Sequence, residues 1–288
     1  MSPTGTDNGN VNGEENQYDK IADGYQTFRK VNPATLIEES TLRGAITPFI
    51  KPGVTRVLDL ACGTGFWSRK VLEWGAESVV GVDLSAEMVS IARKSTSSDQ
   101  NIVYRTGDAK TLGLVDLFGE PAPAAEEGEF DVVLAVWLLN YAATKEEQRQ
   151  MFRTVSSNLK KGGVMVGIAP KPTPLGEIDA WAEKVNREGK TIWGVTANCY
   201  ERADVPEEGW KCEITGEIEG GKTISFKTFM LGQEIYEEAA KLGRMKGRYE
   251  WVKPTMVPEG GLEVRNREFW TEYFRTGPHM GVLVVHKD

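Results

Sequence analysis

Two carboxylates and a pair of glycines are the residues whose types and spacing first suggest chemistry. Asp59 lies in the run Arg-Val-Leu-Asp-Leu-Ala-Cys-Gly-Thr-Gly-Phe-Trp-Ser at 56–68. Val57, Leu58, Leu60 and Ala61 around it read as a buried parallel strand. Gly63 and Gly65 then form a turn whose backbone can approach a ligand without Cβ atoms, and a helix starts near Phe66. Ligands of open α/β sheets bind at the carboxyl ends of strands, where Asp59 sits. A dinucleotide fingerprint would need a third glycine where this chain has Ser68, and Asp59 would face a pyrophosphate with the wrong sign. A phosphate-free ligand with an ammonium group, such as S-adenosylmethionine, suits Asp59 better. Asp83 ends the next apolar run, Val-Val-Gly-Val-Asp-Leu, about 20 residues after the turn, where a ribose-binding acid belongs because one carboxylate accepts from both hydroxyls. Its other reading, a helix cap, is one that Ser85 serves equally well.

These residues resemble motif I of the class I S-adenosylmethionine-dependent methyltransferases, with Ala61 standing where many members have a glycine. The resemblance implies a doubly wound, mostly parallel seven-stranded α/β sheet of Rossmann-like form, S-adenosyl-L-methionine as cofactor, and methyl transfer as the activity. Residues 18–28 place Tyr18, Ile21, Tyr25 and Phe28 at helical spacing on a short helix, a stripe that by itself reads as core. Within the resemblance it matches a Y-D-x-I-A-x-x-Y element, which implies that Tyr18 and Tyr25 close over the cofactor's methionyl end. Asp108-Ala109, after a strand at 101–107, is implied to meet the adenine, with Leu84 and Met88 beside it; the plain reading of Asp108 is an Asx turn.

After a buried strand at 130–136, Val136 and Trp137-Leu138-Leu139-Asn140-Tyr141 resemble motif IV, which lies under the reacting methyl. Trp137, Asn140 and Tyr141 are then candidates for the wall between cofactor and acceptor, or for ordinary packing at a sheet edge. The N/D-P-P-F/Y signature of nucleobase amino methylation is missing, as is an acidic pair at metal-ligand spacing. The expectation is metal-independent methylation of an O, N or S atom of a small organic molecule. The alternative is a methyltransferase-fold protein that binds the cofactor but acts as a cyclase or regulatory binder. Transfer from a sulfonium needs mainly in-line positioning and exclusion of water. An acidic acceptor also needs a base, and His279 and Tyr18, with Asn140 beside them, are the catalytic candidates.

The elements that position these residues follow from periodicity. Strands and helices alternate through a fifth strand at 164–169, which predicts the parallel sheet. Between 170 and 231 the pattern changes to a helix at 177–188 and antiparallel strands at 193–199, 210–218 and 223–231, an insertion that reads as a substrate lid. Trp181, Trp193, Tyr200, Trp210, Phe226 and Phe229 concentrate aromatic surface there, for a flat acceptor or for the insertion's own small core. A helix at 233–242, a strand at 248–253, a helical piece at 268–273 and a strand at 281–286 complete the core; the resemblance puts the last strand antiparallel beside the sixth. The division expected is a disordered tail at 1–16, a cofactor-binding core at 17–169, the lid at 170–231 and the core's completion at 232–288, with a Pro-, Ala- and Glu-rich loop at 120–129.

Bulk properties narrow the partners. A chain of 288 residues can bury a substantial core, and its net charge of -8 argues against gripping nucleic acid through phosphates. A small-molecule acceptor is expected, with monomer and homodimer both open. Three cysteines without metal-ligand spacing suggest a reduced, cytoplasmic setting. The longest apolar run, at 132–139, is far short of the roughly 20 residues of a spanning helix, so no membrane role is expected.

Overall fold

The computed structural model describes residues 16–32, 34–113, 128–193, 195–254, 257 and 261–288. Two helices, α1 (Ala22–Val31) and α2 (Ala34–Ile46), precede an alternating series: β1 (Arg56–Leu60), α3 (Phe66–Glu73), β2 (Ser78–Asp83), α4 (Ala86–Lys94), β3 (Ile102–Thr106), β4 (Phe130–Leu134), α5 (Lys145–Asn158) and β5 (Leu159–Pro170). The strands of this series pair in parallel. Val57, Leu58 and Leu60 are fully buried, as expected of strands covered on both faces. Val57, Val79, Val132 and Val164 point to one layer, packed with Ile37, Trp67 and Trp270, whereas Leu58, Val80, Val133 and Met165 point to the other, packed with Phe152 and Tyr236. Ser85 and Thr144 start α4 and α5 by accepting from the backbone N–H groups of Met88 and Glu147.

After β5 come α6 (Ile178–Trp193) and a separate antiparallel sheet of β6 (Val195–Arg202), β7 (Gly209–Glu217) and β8 (Thr223–Leu231). Then α7 (Gln233–Leu242), β9 (Tyr249–Val252), α8 (Gly261–Val264), α9 (Arg267–Thr276) and β10 (Met280–His286) complete a seven-stranded sheet of order β3-β2-β1-β4-β5-β10-β9. β10 runs antiparallel to both β5 and β9, so the doubly wound sheet with an antiparallel last strand is borne out. Two polar ties hold the smaller sheet over the larger one. Asn140 Nδ2 donates to Thr228 Oγ1 at 2.7 Å while that hydroxyl donates to the Asn140 carbonyl at 2.9 Å. Gln17 pairs through its side-chain amide with both the N–H and the C=O of Lys227.

Several expectations need correction. Tyr18 lies in a turn ahead of α1, which starts only at Ala22. Trp193 ends α6 and does not begin a strand, because over so short a run helical and alternating patterns do not separate. β5 begins at Leu159 and takes in the Lys160-Lys161-Gly162-Gly163 stretch expected to be a turn, with a register shift opposite Phe130 and Val132. Residues 1–15 of the expected tail and 120–127 of the expected loop lie outside the described residues. Among the described residues no helix is long and apolar enough to cross a membrane.

The cysteine expectation fails. Cys199 and Cys212 stand opposite each other in the β6–β7 register and are joined by a disulfide, leaving Cys62 as the free, buried thiol. Nothing in their spacing announces the pair, because it depends on the register in which two neighbouring strands meet. Thiol labelling of the denatured, unreduced protein is therefore expected to modify one cysteine per chain and to modify all three after reduction. Three labelled thiols without reduction would contradict the pairing.

Candidate active site

The turn after β1 is built on left-handed backbone. Ala61, Gly63 and Gly65 have φ of 62°, 53° and 74°, and Ala61 holds that conformation at a cost of roughly 1–2 kcal/mol. The two glycines serve different ends. A Cβ at Gly65 would lie 2.4 Å from the Tyr104 hydroxyl, so packing demands glycine there. A Cβ at Gly63 would meet nothing within 4 Å and would project into open space. Asp83 fixes the turn from β2, its Oδ2 accepting from Gly63 N at 2.7 Å and its Oδ1 from Ser85 N at 2.9 Å. The cap of α4 is Ser85 and not Asp83. Burial raises the Asp83 carboxyl while these two N–H donors pull it back.

Asp59 is 1% exposed. Its Oδ2 accepts from Ser68 Oγ at 2.6 Å, and its Oδ1 is buried with no partner. Burial pushes the carboxyl up to about 7 against the pull of the Ser68 bond. Arg29 Nε and Trp67 Nε1 are also buried without a partner. Arg29 and Trp67 line a cleft together with Tyr25, Ala61, Gly63, Phe66 and Trp137. Buried polar groups are almost always satisfied, so two orphan donors lining the cleft, with the orphan Asp59 oxygen two residues before Ala61 of its wall, call for a ligand with matching groups. The aminoacyl end of S-adenosylmethionine fits them, with an ammonium for Asp59 and a carboxylate for Arg29. The Arg29 guanidinium stacks 4.7 Å from the Phe66 ring and 4.8 Å from the Trp67 ring. Arg29 carries one signal in the sequence, its place one turn after Tyr25 on the same helix face.

The remaining expected cofactor residues divide. Leu84, next to Asp83, is 48% exposed and open to a ligand. Met88 is instead packed with Ala22 and Ile91 beneath Tyr18 and Tyr25. Asp108 Oδ1 accepts from Lys110 N at 2.8 Å, the Asx turn of its plain reading, and Ala109 beside it is buried. Val136 is buried and leads into Trp137, a non-glycine residue at φ 57°. Tyr18 and Tyr141 join hydroxyl to hydroxyl. Burial raises both phenols, which holds them neutral and leaves neither able to act as a base near pH 7.

Tyr25, Arg29 and Trp137 also border a second space of about 140 Å³ under the β6–β8 sheet. Phe28, Trp181, Ile214, Phe226, Phe229 and Met230 form its apolar walls, and Arg29, Glu38, Asn140, Tyr141, Thr228 and His279 supply polar groups. His279 stacks on Trp137 with ring centroids 5.9 Å apart. Its Nδ1 lies 3.1 Å from the Tyr273 hydroxyl and its Nε2 3.9 Å from Glu38 Oε1. The other oxygen of Glu38 meets Arg29 Nη2 at 3.3 Å. Glu38 lines this cavity, which the sequence did not reveal, since one acid of a Glu38-Glu39 pair on a helix looks like solvated surface. Of the lid aromatics, Trp181, Phe226 and Phe229 reach the cavity. Tyr200 is 46% exposed, and Trp210 packs outside on Arg202 with its Nε1 bonded to Asp179.

Comparison with known proteins gives the same direction. A family model described as a methyltransferase domain matches residues 57–163. The chain is 38% identical over 196 residues to YqeM of Bacillus subtilis (strain 168), which is classed as a methyltransferase; the match spans 66% of this chain and 73% of that one. It is 30% identical over 171 residues to the mRNA cap guanine-N(7) methyltransferase of Saccharomyces cerevisiae, covering 55% of this chain and 38% of that protein. Among solved structures it is similar to SAM-bound CalS10, an amino pentose methyltransferase from Micromonospora echinaspora, with a TM-score of 0.55, 16% identity and coverage of 96% and 100%. At that identity the likeness shows the fold.

Two outcomes are expected of the acids. Asp83→Ala should lower affinity for S-adenosylhomocysteine at least tenfold, about 1.4 kcal/mol, in calorimetry on a folded variant, and an unchanged affinity would reject the assignment. Asp59 gives a pH signature in the ligand-free protein. Below pH 4 both folded and unfolded chains hold its proton; from there to about 7 only the folded chain does, so rising pH favours unfolding. Asp59→Asn should therefore gain stability relative to the parent across that window, with a limiting slope of about 1.4 kcal/mol per pH unit. Parallel stability curves in denaturant would contradict the raised carboxyl.

Proposed function

We propose that this chain, which belongs to the S-adenosylmethionine-dependent methyltransferase family, methylates an O, N or S atom of a small organic molecule held in the cavity beneath the β6–β8 sheet. The observation that carries this reading is the shared wall: Trp137, Tyr25 and Arg29 border both the glycine-turn cleft and the cavity. When bound, S-adenosyl-L-methionine supplies an electrophilic methyl on a sulfonium. The residues that would hold it are Asp59 and Arg29 at its aminoacyl end and Asp83 at its ribose, with Gly63 leaving room for close approach.

The protein's own share is orientation and exclusion of water. The left-handed Trp137 and its stacked partner His279 make the floor between the two spaces. Phe226 on β8 meets Tyr18 and Tyr25 ring to ring, which makes the smaller sheet a roof over both. On this reading residues 170–231 are the acceptor lid and 17–169 with 232–288 the cofactor-binding core. The yeast cap enzyme raises a nucleic-acid acceptor as a second reading. A net charge of -8 and a small aromatic-walled space favour the small molecule. With the Cys199–Cys212 pair in place, the cysteines no longer support a cytoplasmic placement.

Incubation with methyl-labelled cofactor separates these readings. Label is expected to pass to low-molecular-weight acceptors in a metabolite panel and not to unmethylated capped RNA. Label in the RNA would overturn the small-molecule reading, and cofactor binding without transfer to any acceptor would favour a cyclase or regulatory binder.

A further inference from the structure

We propose that the acceptor is a primary or secondary amine on a flat apolar frame, whose N–H donates to Asn140 Oδ1 while its lone pair faces the methyl. This rests on the methyltransferase reading above and narrows it from any O, N or S atom to nitrogen. Among the described residues, two that line the cavity under the β6–β8 sheet carry a buried polar atom without a partner, Arg29 at Nε and Asn140 at Oδ1. The first has its use in the cofactor's carboxylate. The second, on a side chain 3% exposed, is left for the acceptor. The apolar walls, Phe28, Trp181, Phe226 and Phe229 among them, suit the flat frame.

The bonds around Asn140 fix what that atom can receive. Thr228 Oγ1 gives its proton to the Asn140 carbonyl, so it accepts from the Asn140 side chain, and the atom facing it at 2.7 Å must be Nδ2. Oδ1 is the other branch of that amide, and the hydroxyl of neighbouring Tyr141 is joined to Tyr18. An amide oxygen accepts and cannot donate, so the group that satisfies it carries an N–H or an O–H.

Charge separates those two. Glu38 lines the same cavity, with one oxygen 3.3 Å from Arg29 Nη2 and the other 3.9 Å from His279 Nε2, beyond hydrogen-bond reach. When Arg29 also serves the cofactor's carboxylate, one guanidinium charge faces two carboxylates. The cofactor's ammonium is met by Asp59 and cancels none of that excess. Before transfer the sulfonium charge balances it, and transfer to an amine passes that charge to nitrogen, inside the cavity that Glu38 lines. An anionic oxygen acceptor would instead leave one negative charge unbalanced before and after the step, at a high cost in a buried space.

The step closes without a further reagent. The nitrogen lone pair forms the N–C bond while the C–S pair stays on sulfur, and the methylammonium gives its extra proton to water after release. The products are a methylated amine and a thioether.

2-(Aminomethyl)naphthalene, 2-(hydroxymethyl)naphthalene and the donor-free 2-(methoxymethyl)naphthalene test this on one frame. The S-adenosylhomocysteine complex of the full chain lacks the sulfonium charge, so in calorimetry it should bind the amine at least about tenfold more tightly than either oxygen compound. Asn140→Leu should cut the amine-to-ether affinity ratio about tenfold, whereas Asn140→Asp, which keeps an accepting oxygen, should hold or raise it. Loss of the tie to Thr228 alone would weaken all three probes alike. With methyl donor present, the amine should gain a methyl on nitrogen and the alcohol none. If Asn140→Leu does not fold, the parent ratio and the Asn140→Asp ratio decide. An alcohol or ether bound as tightly as the amine, an unchanged ratio in Asn140→Leu, or no probe bound at millimolar concentration would overturn the proposal. Failure to bind S-adenosylhomocysteine sinks the methyltransferase reading itself, whereas normal binding with an adverse ratio sinks only this inference.

Discussion

A carboxylate buried at the end of β1 with one oxygen unsatisfied is the constraint to which the rest of the site answers. Burying an ionised carboxylate costs several kcal/mol unless it is paired, and Asp59 receives a single hydroxyl, from Ser68. The folded chain therefore keeps a proton on it up to about pH 7. The glycine turn belongs to the same arrangement. Its left-handed residues turn the backbone after β1, and Asp83 holds the bend by accepting from Gly63 N–H while its other oxygen accepts from Ser85 N–H at the start of α4. In the cleft beside the turn Arg29 offers the opposite sign with its Nε unpaired. Unpartnered buried groups cost stability at positions where a zwitterionic ligand would restore it.

The second consequence is coupling between the two spaces. Trp137 adopts a conformation that a bulky side chain rarely takes, and such strain persists only where surrounding structure enforces it. Here the enforcement comes from the His279 stack on one side and from the loop that Asn140 ties to Thr228 on the other. The Gln17 amide and the Tyr18–Tyr141 contact add the N-terminal segment to the same assembly. A displacement at either space must move groups that border the other, so binding in the two is expected to be interdependent.

How much of this was legible in the sequence depended on range. The glycine turn and the places of Asp59 in β1 and Asp83 at the end of β2 were readable because they follow from a strand, a turn and a helix within a few residues, where local rules suffice. The helix at 233–242 was readable from its periodicity, and the direction of β10 came only with the family resemblance. Arg29 and Glu38 were not readable, because they sit on ordinary amphipathic helices and gain meaning only when α1 and α2 are laid against His279 from the far end of the chain. The Cys199–Cys212 pair was hidden for a related reason, since a shift of one residue in the β6–β7 register would part them. At 193 the extended and helical patterns coincide over too few residues to choose, and the chain continues α6.

Calorimetric titration with S-adenosylhomocysteine at pH 6.5, in buffers of differing ionisation enthalpy, tests most directly whether the proton that burial holds on Asp59 is displaced by a cationic group. The predicted result is release of roughly half a proton or more per site, absent in Asp59→Asn, as the incoming ammonium brings the carboxyl down from about 7. A binding enthalpy independent of the buffer, with the ligand bound, would contradict that displacement.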